Sequence, residues 1–415
     1  MIEFAHRSVS IAPDRPVQLA GRAGSSGVVG DVHGTLEANI LAIFSDSLCR
    51  VVIISIDALF VGRELSDILL STCAEFGVAG QSVLIVATHT HSAPALEDTK
   101  PELGRRSDDD FASVKQKLVR ALSDLLKATP QKGKLAKGQT KIAGASVNRR
   151  LPWHLPQLTR GGLRFERTVL APNEKGLVDP LITALILQGD TAAVVWHYTC
   201  HPTGFPEEKI SADYPGLVRN ALRQRFGKDT TSIFLQGFAG DIRPVSAAPT
   251  MGLMPLIRRA VQGPRFYDMG MEDWLAWAEI ISNGVLSAVD AAAPVEDGRL
   301  ASGRMASTTL DKLMAGANRN RLVEVQHLDV LGERILAVSA EPLVGLRGLC
   351  PQNSLLVGYS RDVFGYWPRD MEIGEGGYEV NGFKDWFGVP HAWQSRLDQV
   401  FSGLAGGTSG EGGPR

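Results

Sequence analysis

Residues 84–94 read LIVATHTHSAP, an apolar run that ends in a burst of polar side chains. The apolar part, Val83 to Val86, has the length and composition of a buried strand. His89 and His91 lie two positions apart, so in an extended chain their rings leave on one face. Two imidazoles at one strand end offer metal ligation or proton transfer. Three more residues occupy comparable places. His201 follows the apolar run 192–197, Glu341 follows 334–339, and Tyr366 lies in the loop beyond 354–359. Two imidazoles and a carboxylate form a set used for catalytic zinc, with a position left for water. The phenol of Tyr366 could serve as a fourth ligand or as a proton donor. Asp57 ends another apolar run and reads as a site residue or a helix cap. Asp213 and Asp241 read as turn and cap residues, and Trp274 and Trp277, at helical spacing, as core.

The elements that must carry these side chains alternate along the chain. Strands are expected at 8–11, 38–44, 50–56, 83–91, 181–187, 192–197, 232–236, 300–310, 322–329, 334–339 and 354–359. Helices are expected at 65–76, at 108–128, from Asp213 to about Phe226, and at 271–293. Gly189-Asp190 separates two apolar runs and signals a hairpin. Residues 19–27 read as a glycine-rich loop without the spacing of a phosphate cradle. Residues 132–138, KGKLAKG, read as a solvated basic loop. The expected fold class is α/β, a mixed β-sheet core flanked by helices. One domain should span residues 1–402, with 403–415 a Gly/Ser-rich disordered tail.

Composition narrows the function. The 415 residues are 44% hydrophobic and 21% charged, with a formal net charge of −2. That is globular composition, and it argues against a nucleic-acid partner. No run reaches the length of a membrane span, so stable membrane insertion is not expected. The N-terminus lacks the apolar core of a secretory signal. Cys49, Cys73, Cys200 and Cys350 are far apart and should be unpaired, which fits a cytoplasmic protein.

Seven motifs, in order, resemble the catalytic domain of the neutral/alkaline non-lysosomal ceramidases. They are THTHSAP at 88–94, SVNRR at 146–150, HPT at 201–203, DYPG at 213–216, LQGFAGDIRP at 235–244, AEP at 340–342, and VGYSRDVFGYW at 357–367 with GGYE at 376–379. The resemblance implies a ceramidase-like domain and a zinc-dependent amidohydrolase. His89, His201, Glu341 and Tyr366 would hold Zn2+. His91 would polarise the substrate or move protons, Arg149 would contact substrate or oxyanion, and Tyr378 would stand near that pocket.

Two departures bear on the substrate. The ceramidases carry a serine in a GDVSP-like loop, where this chain has Arg243 in GDIRP. Their C-terminal immunoglobulin-like domain and signal peptide are not found. The expected reaction is therefore cleavage of a carbon–nitrogen bond in a small soluble N-acyl substrate. An inactive ceramidase-fold binding protein and a zinc esterase or lactonase are the alternatives. Oligomeric state is left open. A buried guanidinium needs an anion. For Arg243 that anion is either structural, such as Asp241, or an acidic group on the substrate.

Overall fold

The computed structural model describes residues 2–21, 27–154, 157–159, 162–164, 167–245, 264–295 and 302–406. Its main sheet is mixed. The strands are β1 (Ile2–Ser10), β2 (Glu37–Ser45), β3 (Leu48–Ile56), β4 (Val83–Ala87), β5 (Gln131–Lys141), β8 (Leu181–Gln188), β9 (Ala192–Tyr198) and β10 (Thr231–Gln236). Between β5 and β8 run β6 (Ser146–Pro152) and β7 (Thr168–Asn173), which belong to a smaller sheet. The order across the main sheet is β10-β9-β8-β5-β1-β2-β3-β4. The central pairs are antiparallel, and the outermost pair at each edge is parallel. Both parallel edges therefore release their chains at the same kind of strand end, where α/β sheets collect functional groups.

The sheet curls until its two edges meet. Ser55 Oγ, on β3, donates to the Phe234 carbonyl of β10 at 2.7 Å. The inward residues form one core, with Val51, Ile53, Leu84 and Val86 facing Val195, Ile233 and Leu235. The alternate residues Val52, Ile54 and Ile56 join a second core, under α1 (Arg63–Glu75) and α2 (Asp108–Lys127). Val194, Trp196 and Phe234 join a third, under α3 (Tyr214–Phe226) and α4 (Met271–Asp290). Strands covered on both faces need apolar side chains at every position, so they read as unbroken hydrophobic runs.

Further strands are β11 (Ile242–Pro244), β12 (Ser302–Thr309), β13 (Leu322–Val330), β14 (Glu333–Val338), β15 (Glu341–Pro342), β16 (Ser354–Val357) and β17 (Tyr366–Trp367), besides several of two or three residues. β12-β13-β14-β16 form a four-stranded sheet whose Leu328, Ile335, Ala337 and Val357 enter the curled core. β7-β6-β11 form a three-stranded sheet, and β15 pairs in parallel with β17. The last helix, α5 (Leu397–Gly406), covers Trp367 through Phe401.

Several expectations need correction. Residues 132–138 are not a loop but part of β5, in the middle of the sheet. Gly133, Leu135 and Gly138 are buried while the lysines between them are not. A Cβ at Gly138 would overlap the Ala288 carbonyl of α4, so a glycine there reflects helix packing rather than a turn. The strand expected at 83–91 stops at Ala87. Asp57 is neither a site residue nor a cap. Its carboxylate accepts from the Glu37 N–H and pairs with Arg219 of α3 at 2.5 Å. Residues 403–406 belong to α5 rather than to a tail, while 407–415 and residues 22–26 of the glycine-rich loop lie outside the described residues.

Candidate metal centre

Three imidazoles converge where the two sheet edges meet. The ligating nitrogens of His89, His91 and His201 all lie within 4.8 Å of one another. His89 follows β4 and His201 follows β9, so curling of the sheet brings them together. His89 and His91 meet for a reason other than strand alternation. His89 has a left-handed backbone, φ 67°, which turns the chain. The His91 ring then stands edge-on to His89, with centroids 4.9 Å apart.

The orientation of the rings is fixed from behind. His89 Nδ1 donates to the Leu59 carbonyl at 3.0 Å, His91 Nδ1 to Gly21 at 3.0 Å, and His201 Nδ1 to Ile242 at 2.9 Å. A carbonyl only accepts, so each Nδ1 carries a proton, and in the neutral ring each Nε2 then keeps a lone pair. The Nε2 atoms of His89 and His91 are 3.3 Å apart, lone pair toward lone pair. Glu341 Oε2 sits 3.4 Å from His89 Nε2 and 3.3 Å from His201 Nε2. Both His201 Nε2 and Glu341 Oε2 are buried without a hydrogen-bond partner. Buried acceptors facing one another are costly unless a cation lies between them. The donor set, neutral imidazoles and one carboxylate, suits zinc. The residues present therefore fit such an ion.

Burial favours the neutral form of two of the rings. Burial holds the His201 imidazole down to about 4. Burial, then the neighbouring rings of His89 and His201, holds His91 well below the usual histidine range.

Tyr366 lies beside Glu341 because β15 and β17 pair in register, Glu341 opposite Tyr366. Its hydroxyl accepts from Arg149 Nη2 at 3.0 Å. Arg149 Nε donates to Glu379 at 2.7 Å. The guanidinium also faces the rings of Tyr366 and Tyr378, at 5.4 and 5.6 Å. Burial pushes the Tyr378 phenol up to about 12. Arg149, expected to touch substrate or oxyanion, thus has two of its arms engaged by protein.

Arg243 stands apart from this group, on β11 opposite Val147 of β6. Asp241 is not its partner. The Asp241 carboxylate accepts from Asn148 Nδ2 at 2.7 Å and from the Val344 N–H at 2.8 Å. Asp213 caps α3 and accepts from Gly204, Phe205, Tyr214 and Trp274, which pins the loop after His201. Trp274 and Trp277 are buried core residues.

Two residues at the site were not singled out from sequence. The Tyr359 ring lies tilted against His89 with centroids 4.2 Å apart. Glu379 neutralises Arg149 and Arg150 together. Both sit in the quoted motifs, in VGYSRD and GGYE, so the signal was present. What spacing could not supply was their orientation.

No model of a known protein family matches the sequence, and a search of curated proteins returns no match. Solved structures do match. One is neutral ceramidase from Pseudomonas aeruginosa, with a TM-score of 0.71 over 97% of this chain and 74% of that one. The chain has the neutral ceramidase fold. A ceramidase complexed with C2 aligns with a TM-score of 0.72, over the same 97% and 74%. Identity is 15% in both cases, so the likeness is one of fold. Among the described residues of this ceramidase-fold chain, no helix is long and apolar enough to cross a membrane.

Proposed function

We propose that this chain is a zinc-dependent hydrolase that cleaves an amide bond, a divergent relative of the ceramidases. The observation that carries the reading is the arrangement of inward-facing Nε2 atoms. Three rings locked by backbone carbonyls turn lone pairs toward one another, and the Glu341 carboxylate closes on two of them. His89, His201 and Glu341 would hold the ion, with Tyr366 as fourth ligand. Zinc supplies an acidified water and polarises a carbonyl.

The chain's own groups account for the rest. His91 is neutral at pH 7 and lines a cavity, so it can accept a proton and pass it to the leaving nitrogen. Tyr378 keeps its proton at pH 7 and can donate to a developing oxyanion. Arg149 is a positioning residue, held by Glu379 and holding Tyr366.

Metal analysis of protein purified without chelator should find one zinc per chain. His201→Ala and Glu341→Ala should lose it. A screen of N-acyl amides should show turnover that follows metal content. A metal-free protein that stays inactive after zinc addition would favour a binding module. Turnover of esters or lactones without amides would overturn the amide assignment.

A further inference from the structure

A cavity of about 240 Å3 opens beside His91, lined by Ser92, Thr203, Arg243, Tyr267 and Asp268 among others. The Arg243 guanidinium stacks on the Phe266 ring at 4.3 Å. Its Nε is buried without a hydrogen-bond partner. No ion pair to Arg243 forms among the described residues. Asp268 lines the cavity, but it is exposed, and its charge acts on Arg243 through solvent without an ion pair. Asp213 also lines the cavity, but its oxygens already accept from four protein donors.

A largely desolvated guanidinium with no paired anion is costly unless something supplies one. We infer that Arg243 is the carboxylate-recognition residue of the site, so that the substrate is an N-acyl amino acid or a similar acidic amide. This deepens the hydrolase reading and rests on it. A carboxylate suits the geometry because the guanidinium offers a planar, bidentate fork. Among the described residues, Arg243 is the one permanently charged cation of the cavity wall, which suits a monoanion better than a phosphate dianion. The volume, below the roughly 300–1,000 Å3 of drug-sized sites, matches an amino-acid-sized group.

The test pairs N-acetyl amino acids with the matching C-terminal carboxamides, as probes of the zinc-loaded protein. Calorimetry gives Kd, and turnover gives KM and kcat separately. Wild type should prefer the carboxylate member by roughly 10-fold or more, the value of a charge-assisted pair. Arg243→Ala should remove that preference, and Arg243→Lys should restore only part of it, with zinc content and far-UV dichroism unchanged in both. Equal affinity for the paired probes in wild type, a preference that survives Arg243→Ala, or no binding at millimolar concentration would overturn the inference. Selective binding without turnover would leave Arg243 in this role and overturn the hydrolase reading instead. Preference for long-chain ceramide would remove the acidic-substrate assignment alone.

Discussion

At the scale of single residues, the site depends on atoms that touch no ion. Gly21 has φ 80°, accepts from His91 Nδ1, and lies so close that a Cβ would overlap that nitrogen. Gly21→Ala should therefore push His91 out of line. A misplacement of about 1 Å costs roughly 100-fold in rate, so kcat/KM should fall on that order while dichroism stays native. Zinc content of the variant then distinguishes two roles. Retention makes His91 a substrate-facing proton carrier, and loss makes it a ligand. Wild-type kinetics in Gly21→Ala would refute the argument that this glycine sets the ring.

At the scale of elements, α3 is tied to the strand ends by buried charge. Arg219 reaches Asp57 at 2.5 Å and Glu37 at 3.4 Å, and Arg223 reaches Glu37 at 2.7 Å. Asp57 ends just beyond β3 and Glu37 begins β2, so the network joins the helix to the edge that delivers His89. Arg219→Met would leave two buried acids against one remaining cation. Breaking such a pair costs about 3–5 kcal/mol, which should appear as a lower midpoint in denaturant unfolding. An unchanged midpoint would show that water or Arg223 replaces the lost charge. β5 shows the reverse difficulty of reading elements. Its lysines and glycines look like a loop, yet Leu135 and the two glycines pack inward against Phe4 and α4.

At the scale of the molecule, the three cores enclose what the composition left ambiguous. All four cysteines are unpaired. Burial pushes the thiols of Cys49, Cys73 and Cys350 up to about 12. At pH 8 these groups are then almost wholly protonated in the native state and slow toward thiol reagents. Unfolding returns them toward about 8.5, so the thiolate fraction rises and reaction speeds up. Titration of native protein should be slow, and denatured, unreduced protein should react at all four. Fast native reaction at several thiols would mean that the cores open.

Much of this protein was legible in its sequence. Strands buried on both faces had to be nearly continuous in apolar residues, and those runs placed β2, β3, β4, β9 and β10. The periodicity of α2, its acidic start and Lys127 near its end did the same. The ordered motifs carried the ceramidase resemblance and gathered His89, His201 and Glu341 as candidates. Three things were decided only in three dimensions. Curling of the sheet joined edges far apart in sequence, because burying the face of Ile53 and Ile233 requires the two halves to meet. A left-handed turn at His89, not strand alternation, aimed His91. The partners of Arg149, Arg243 and Asp241 depended on which charges packing left within reach, and charge pairing acts across distances that sequence order does not encode.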